Sequence, residues 1–149
     1  MDKLDYQILT ILKKNARETV SNMSKELHMS VSALSERIRK MEESGIIQEY
    51  TVVLDEKKMN LDVTAIMEVS LEHPKFYDTF TEAVQVNSNI VACYYLTGDF
   101  DFVLKIVCGS SDELERIHRQ IKSLKGVSAT RTHYVLKCTK NSYGVLKEV

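Results

Sequence analysis

Through the first fifty residues apolar positions recur every three or four places: Leu4, Ile8, Ile11 and Leu12, then Val20, Met23 and Leu27, then Val31, Leu34, Ile38 and Met41. That spacing puts each set on one side of a helix, so three short amphipathic helices are expected. Asp2 is placed to cap the first, and Asp5 adds a carboxylate to its first turn, where the helix dipole favours it. The pattern runs out near Asn15. Thr19 suits the N-cap of the second helix, and the third is expected from Ser30 to Ser44. Gly45 follows, where a helix C-terminus wants a residue able to adopt positive φ.

After Gly45 the period changes. "IIQEYTVVLD" (46–55) is rich in branched and aromatic residues and is expected as a strand, and "EKKMNLD" as a turn. Beyond it come strand "VTAIMEVSL", helix "HPKFYDTFTEAVQVN", strand "NIVACYYLTG", strand "DFVLKIVCG", helix "SSDELERIHRQIKSLKG" and strand "VSATRTHYVLK". The order β-α-β-β-α-β is that of a ferredoxin-like domain. Its helices cover one face of a four-stranded antiparallel sheet. The apolar content of the other face points to a partner and hence to a dimer. The tail "CTKNSYGVLKEV" fits either a short strand or no regular structure. The expected fold class is therefore α+β, with a (winged) helix-turn-helix domain at 1–50, a strand or hinge linker at 51–62, and a ferredoxin-like βαββαβ domain at 63–149.

Two helices joined by the short turn at "ELHMS" form a helix-turn-helix pattern, with Met23, Leu27, Met29, Leu34 and Ile38 as its core half. The outward half of the last helix then carries Ser32, Ser35, Glu36, Arg39 and Lys40, with Arg37 at its flank. Small hydroxyl side chains let a helix approach a groove closely, and arginine offers bidentate contacts to guanine or phosphate. A solvated three-helix packing unit is the plain alternative. Charge does not decide between them. The 149-residue chain has a formal net charge of −1, and residues 1–50 hold eight Lys+Arg against eight Asp+Glu. A nucleic-acid binder with so little surplus needs its cations clustered, or several copies on one DNA. Cys93, Cys108 and Cys138 are widely spaced without a CxxC, so buried free thiols are expected rather than disulfides or zinc. No run approaches the length of a membrane span, so a soluble, cytoplasmic protein with no membrane partner is expected.

The stretches "LDYQIL", "LKKNAR", "TVSNMSKELHMS", "RIRKMEESGII", "YTVVLD" and "MNLD", with "YYLTGDFDFVLKI" and "THYVL" further on, together resemble the Lrp/AsnC (feast/famine) transcription regulators over nearly the whole chain. The resemblance implies double-stranded DNA as a partner and a recognition helix that starts at Ser30. The family's recognition-helix arginine falls on Arg37, followed by Arg39 and Lys40. It also implies a homodimer that assembles into a tetramer or octamer. Three positions depart from the pattern: His28 and Asn60 stand where the family has glycine, and Ser24 where it has alanine. Histidine and asparagine accept left-handed backbone better than most residues, so the turns survive at some cost.

The link "TGDFDF" (97–102) is the second chemical feature. Gly98 permits a tight turn whose exposed N–H groups suit a carboxylate, and Asp99 and Asp101 suit an ammonium group. Read alone, it is also an ordinary β-turn. The resemblance places the family's small-molecule pocket beside it, which carries over to Gly98 and Asp101, with Thr97 and Asp99 as further candidates and Thr130 or Thr132 contributed by a neighbouring subunit. An amino acid is then the expected effector.

No catalytic residue, metal site or cofactor is implied. His28, His73, His118 and His133 share no ligand spacing, and no GxSxG, P-loop or dinucleotide fingerprint occurs. Sirohaem decarboxylases share the double-domain architecture, and in that reading His133 is the candidate to hold a tetrapyrrole. A ligand-sensing assembly protein that does not bind DNA is the remaining alternative.

Overall fold

A computed structural model describes residues 1–146. Their contacts divide the chain into two compact units, residues 1–53 with 142–146, and residues 54–141.

The first unit holds α1 (Lys3–Lys14), α2 (Val20–Glu26) and α3 (Val31–Glu43). Asp2 caps α1 through a reciprocal box. Its Oδ1 accepts the Leu4 and Asp5 amides at 3.0 Å each, while Asp5 Oδ2 accepts the Asp2 amide at 2.8 Å. Thr19 and Ser30 cap α2 and α3, accepting the amides of Asn22 and Ala33. The core is Ile8, Leu12, Met23, Leu34, Ile38 and Met41, with Leu27, Met29 and Ile47 packed against it. Val31, expected on that face, is instead exposed in the first turn of α3.

The turn between α2 and α3 rests on His28, at φ 53°. The Met29 amide donates to the Ser24 carbonyl at 2.9 Å and the His28 amide to that of Lys25 at 3.4 Å, the Schellman arrangement with histidine at the left-handed position. Ser24 is buried and polar, and its hydroxyl donates to the Ser21 carbonyl at 2.8 Å. Asn60 is left-handed as well, at φ 60°.

The strand expected at 46–55 does not form. No strand among the described residues lies alongside to accept its backbone hydrogen bonds, and β propensity alone does not make a ladder. Val52, Val53 and Leu54 are exposed there.

The second unit is a four-stranded antiparallel sheet of β1 (Val63–Leu71), β2 (Ile90–Tyr95), β3 (Phe102–Cys108) and β4 (Val127–Tyr134), in the order β2-β3-β1-β4. α4 (Tyr77–Gln85) and α5 (Ser111–Lys122) cover one face. The first turn of the expected 73–87 helix is a 3₁₀ turn at Pro74–Phe76, and β4 ends three residues before expected. Strict alternation along β1 sends Val63, Ala65, Met67 and Val69 into the core with Phe80, Phe102, Leu104, Ile106, Ile117 and Ile121. Thr64, Ile66, Glu68 and Ser70 lie on the other face. Gly126, at φ 90°, precedes β4 and lies so close to Phe76 that an added Cβ would come within 2.2 Å of its ring.

Residues 138–146 take no regular structure, and 147–149 lie outside the described residues. Residues 142–146 group with the first unit, where Lys13 Nζ donates to the Gly144 carbonyl at 2.8 Å. Of the three cysteines only Cys108 is buried. Cys93, on the edge strand β2, and Cys138, in the tail, are exposed, contrary to expectation. No helix of the described residues is long and apolar enough to cross a membrane.

Two substitutions test these packing arguments by urea denaturation followed by circular dichroism. Leu34→Ala empties a fully buried position and is expected to destabilise the first unit by about 2–5 kcal/mol. His28→Gly relieves left-handed strain and is expected to stabilise it by about 1 kcal/mol.

Candidate nucleic-acid interface and effector segment

Burial of Leu34, Ile38 and Met41 fixes which side of α3 faces solvent. At 100° per residue, Ser32, Glu36, Arg39 and Glu43 fall on the opposite side in one stripe. Ser35 and Lys40 flank that stripe, and all six are exposed. Ser30 is committed to its cap and lies 3.2 Å, oxygen to oxygen, from Ser32.

The cations are not equivalent. Arg37 is turned to the flank, where a single Nη1 donates to Asp2 Oδ2 at 2.8 Å and to Asp5 Oδ1 at 2.7 Å. It thereby ties the middle of α3 to the capping box of α1. The Asp2 carboxyl is held below the usual carboxylate range, first by the Asp5 amide and then by Arg37.

Arg39 stays on the outer stripe between two carboxylates. Its Nε and Nη2 donate to Glu36 at 2.9 and 2.7 Å, and Nη1 donates to Glu43. Lys40 Nζ lies 3.6 Å from Glu36. The hydrogen bond from Arg39 is the largest of the effects that lower the Glu36 carboxyl. Glu43 escaped the sequence reading, although its i+4 spacing from Arg39 is the signal that finds it. Glu42, on the adjoining face, accepts from the Tyr50 hydroxyl at 2.8 Å. Partial burial, and then Glu42, push that phenol up to about 12.

In the second unit the β2–β3 link brings Thr97, Gly98, Asp99 and Asp101 together. Gly98 sits at φ 132° with open space where a side chain would be. Asp101 is also a structural bracket: its Oδ2 accepts the Leu71 amide at 2.7 Å, and its own amide donates to the Val69 carbonyl at 3.0 Å. The Asp99 carbonyl accepts from Ser70 at 3.4 Å, and Thr97 is exposed.

Thr130 and Thr132 are not part of that link. They lie on β4, opposite Val69 and Met67, on the far side of β1 from β3. Thr130 Oγ1 is 3.1 Å from His118 Nε2, while Thr132 Oγ1 is buried with no partner among the described residues. On the sheet face away from the helices, Glu68 Oε2 meets His133 Nε2 at 3.2 Å and Arg131 at 3.7 Å, and Arg131 stacks on Phe100. Among the described residues no cluster of His, Cys, Asp and Glu is placed to hold a metal ion.

A DNA-binding helix-turn-helix joined to a small-molecule-binding α+β domain defines a class of transcription regulators, and comparison with known proteins gives the same division. The winged helix-turn-helix DNA-binding family matches residues 1–48, and the Lrp/AsnC ligand binding domain matches 64–145. The chain belongs to the Lrp/AsnC family. It is 31% identical to the transcriptional regulator LrpC of Bacillus subtilis over 146 residues, covering 97% of this chain and 99% of that one. A Neisseria meningitidis transcriptional regulator in complex with L-Met superposes with a TM-score of 0.92 at 26% identity, covering 97% of this chain and 96% of the other. Escherichia coli AsnC gives 0.89 at 26% identity, covering 96% and 97%.

The Asp2–Arg37 contact carries a pH dependence of known sign. A carboxyl lowered in the folded state stabilises fully above its unfolded value, about 3.9, and that stabilisation is lost as pH falls through the folded value. The first unit is therefore expected to weaken progressively below about pH 4. In Asp2→Asn, acid titration followed by circular dichroism should show less of that loss, from a lower starting stability.

Proposed function

We propose that this regulator reads double-stranded DNA with the outer stripe of α3, as a homodimer that places two such helices in successive major grooves and assembles further into tetramers or octamers. The observation that carries the reading is the sidedness of α3: its apolar residues are spent on the core, which leaves Ser32, Ser35, Glu36, Arg39 and Lys40 together in solvent. Arg37 serves the same surface by holding α3 to α1, and Ser30 by capping it. Linked dimers raise effective concentration on one DNA molecule, which offsets the lack of net positive charge in the first fifty residues.

The effector is an amino acid held at the β2–β3 link, with Gly98 backbone groups for its carboxylate and Asp99 or Asp101 for its ammonium group. Thr97 adds a hydroxyl, and Thr130 and Thr132 come from a neighbouring subunit. The L-Met bound by the Neisseria meningitidis relative supports this ligand class. Such a ligand shifts assembly only by binding the assemblies unequally. The protein acts in the cytoplasm and without catalysis. His133, engaged with Glu68, favours regulation over tetrapyrrole ligation.

The full-length protein is expected to retain selected fragments of its genome, with affinity falling about 100-fold between 50 and 200 mM salt for four phosphate contacts. Arg39→Ala should weaken that binding with unchanged circular dichroism and oligomer size. A flat salt response would count against DNA as the partner. Asp101→Asn, which keeps an acceptor for the Leu71 amide, is expected to lose any change of assembly induced by amino acids in sedimentation velocity. A retained response would place the effector elsewhere.

A further inference from the structure

The stripe that faces DNA contains as many carboxylates as cations. Glu36 and Glu43 bracket Arg39, Lys40 adds one charge, and the cluster sums to zero. A phosphate brought to it would meet two carboxylates together with the guanidinium, a poor exchange for a charge-neutral group. A neutral acceptor would meet no such repulsion.

A guanidinium has five N–H donors in a fixed plane. Glu36 takes Nε–H and one Nη2–H, which together form the side-on fork, and Glu43, one turn further along, takes an Nη1–H. One N–H remains on each Nη. The two acceptors on the major-groove edge of guanine, O6 and N7, match such a pair. Exposed ion pairs of this kind add little stability. What they change is the freedom of the arginine, whose rotamer is already restricted before DNA arrives.

Resting on the DNA-reading role of α3, we propose that Arg39 specifies a guanine in each half-site, and that Glu36 and Glu43 are positioning residues that hold its outer N–H pair towards the base. The carboxylates act through Arg39 and touch no base themselves.

The test is selection of binding sites from a randomised DNA pool by the full-length wild type and by Arg39→Lys, Glu36→Ala and Glu43→Ala, each checked by circular dichroism, followed by affinities across a salt series. Wild type is expected to select guanine at one position per half-site. Arg39→Lys should lose that preference by about 5- to 150-fold, at that position alone, with the salt slope unchanged because no phosphate contact is removed. Glu36→Ala and Glu43→Ala should relax the same position. If the glutamate variants instead keep the guanine and bind all sequences more tightly, the carboxylates merely compete with phosphate and the proposal fails. If Glu36→Ala relaxes a different position, Glu36 reads its own base and the positioning role is overturned. Wild type that retains no DNA at any salt would overturn the DNA-reading function itself, a failure distinct from wild type that binds while the variants select as it does.

Discussion

The burial of Leu34, Ile38 and Met41 against α1 and α2 is the constraint from which the first unit's surface follows. A helix of thirteen residues has few positions to spend. Once three are committed inward, the direction of every other side chain is set by the 3.6-residue period, and Ser32, Glu36, Arg39 and Glu43 have no side to occupy but the outer one. Two further devices fix how that helix is held. The left-handed His28 turns the chain between α2 and α3, and Arg37 bridges α3 to the capping box of α1. Both spend local conformational or side-chain freedom on orientation.

In the second unit the same economy acts through a period of two. Alternation along β1 gives one face wholly to the core beneath α4 and α5, and leaves Ile66 with the Glu68, Arg131 and His133 cluster on the other. The β2–β3 link is braced by Asp101, which bonds through both side chain and backbone to the end of β1. A segment so tied to the sheet cannot shift without moving the end of β1.

Much of this was legible in the sequence where the interactions are local. The three helices, their Asp2, Thr19 and Ser30 caps, and the order of four strands follow from spacing and capping chemistry. The left-handed turns at His28 and Asn60 were legible from the glycines they replace. Non-local relations were not. Whether 46–55 forms a strand depends on a partner for its backbone, and residue types alone do not supply one. The spacing puts Arg37 at the flank of α3, but its tie to Asp2 and Asp5 depends on α3 passing the start of α1, some thirty-five residues away in sequence. That Thr130 and Thr132 stand apart from the β2–β3 link of their own chain follows from the strand order, in which β1 lies between, and is compatible with the neighbouring-subunit role expected for them. Glu43 is the reverse case, a local i+4 partner of Arg39 overlooked among the outward cations.

The central claim, that α3 is the surface that meets DNA, is tested most directly by amide hydrogen exchange on the full-length protein, alone and bound to fragments retained from its genome. DNA is expected to slow exchange across α3 and the His28 turn ahead of it, residues 28–43, at a salt concentration that permits binding, and the protection is expected to disappear when salt releases the DNA. Protection confined to residues 63–134, with α3 exchanging as it does in the free protein, would contradict that claim.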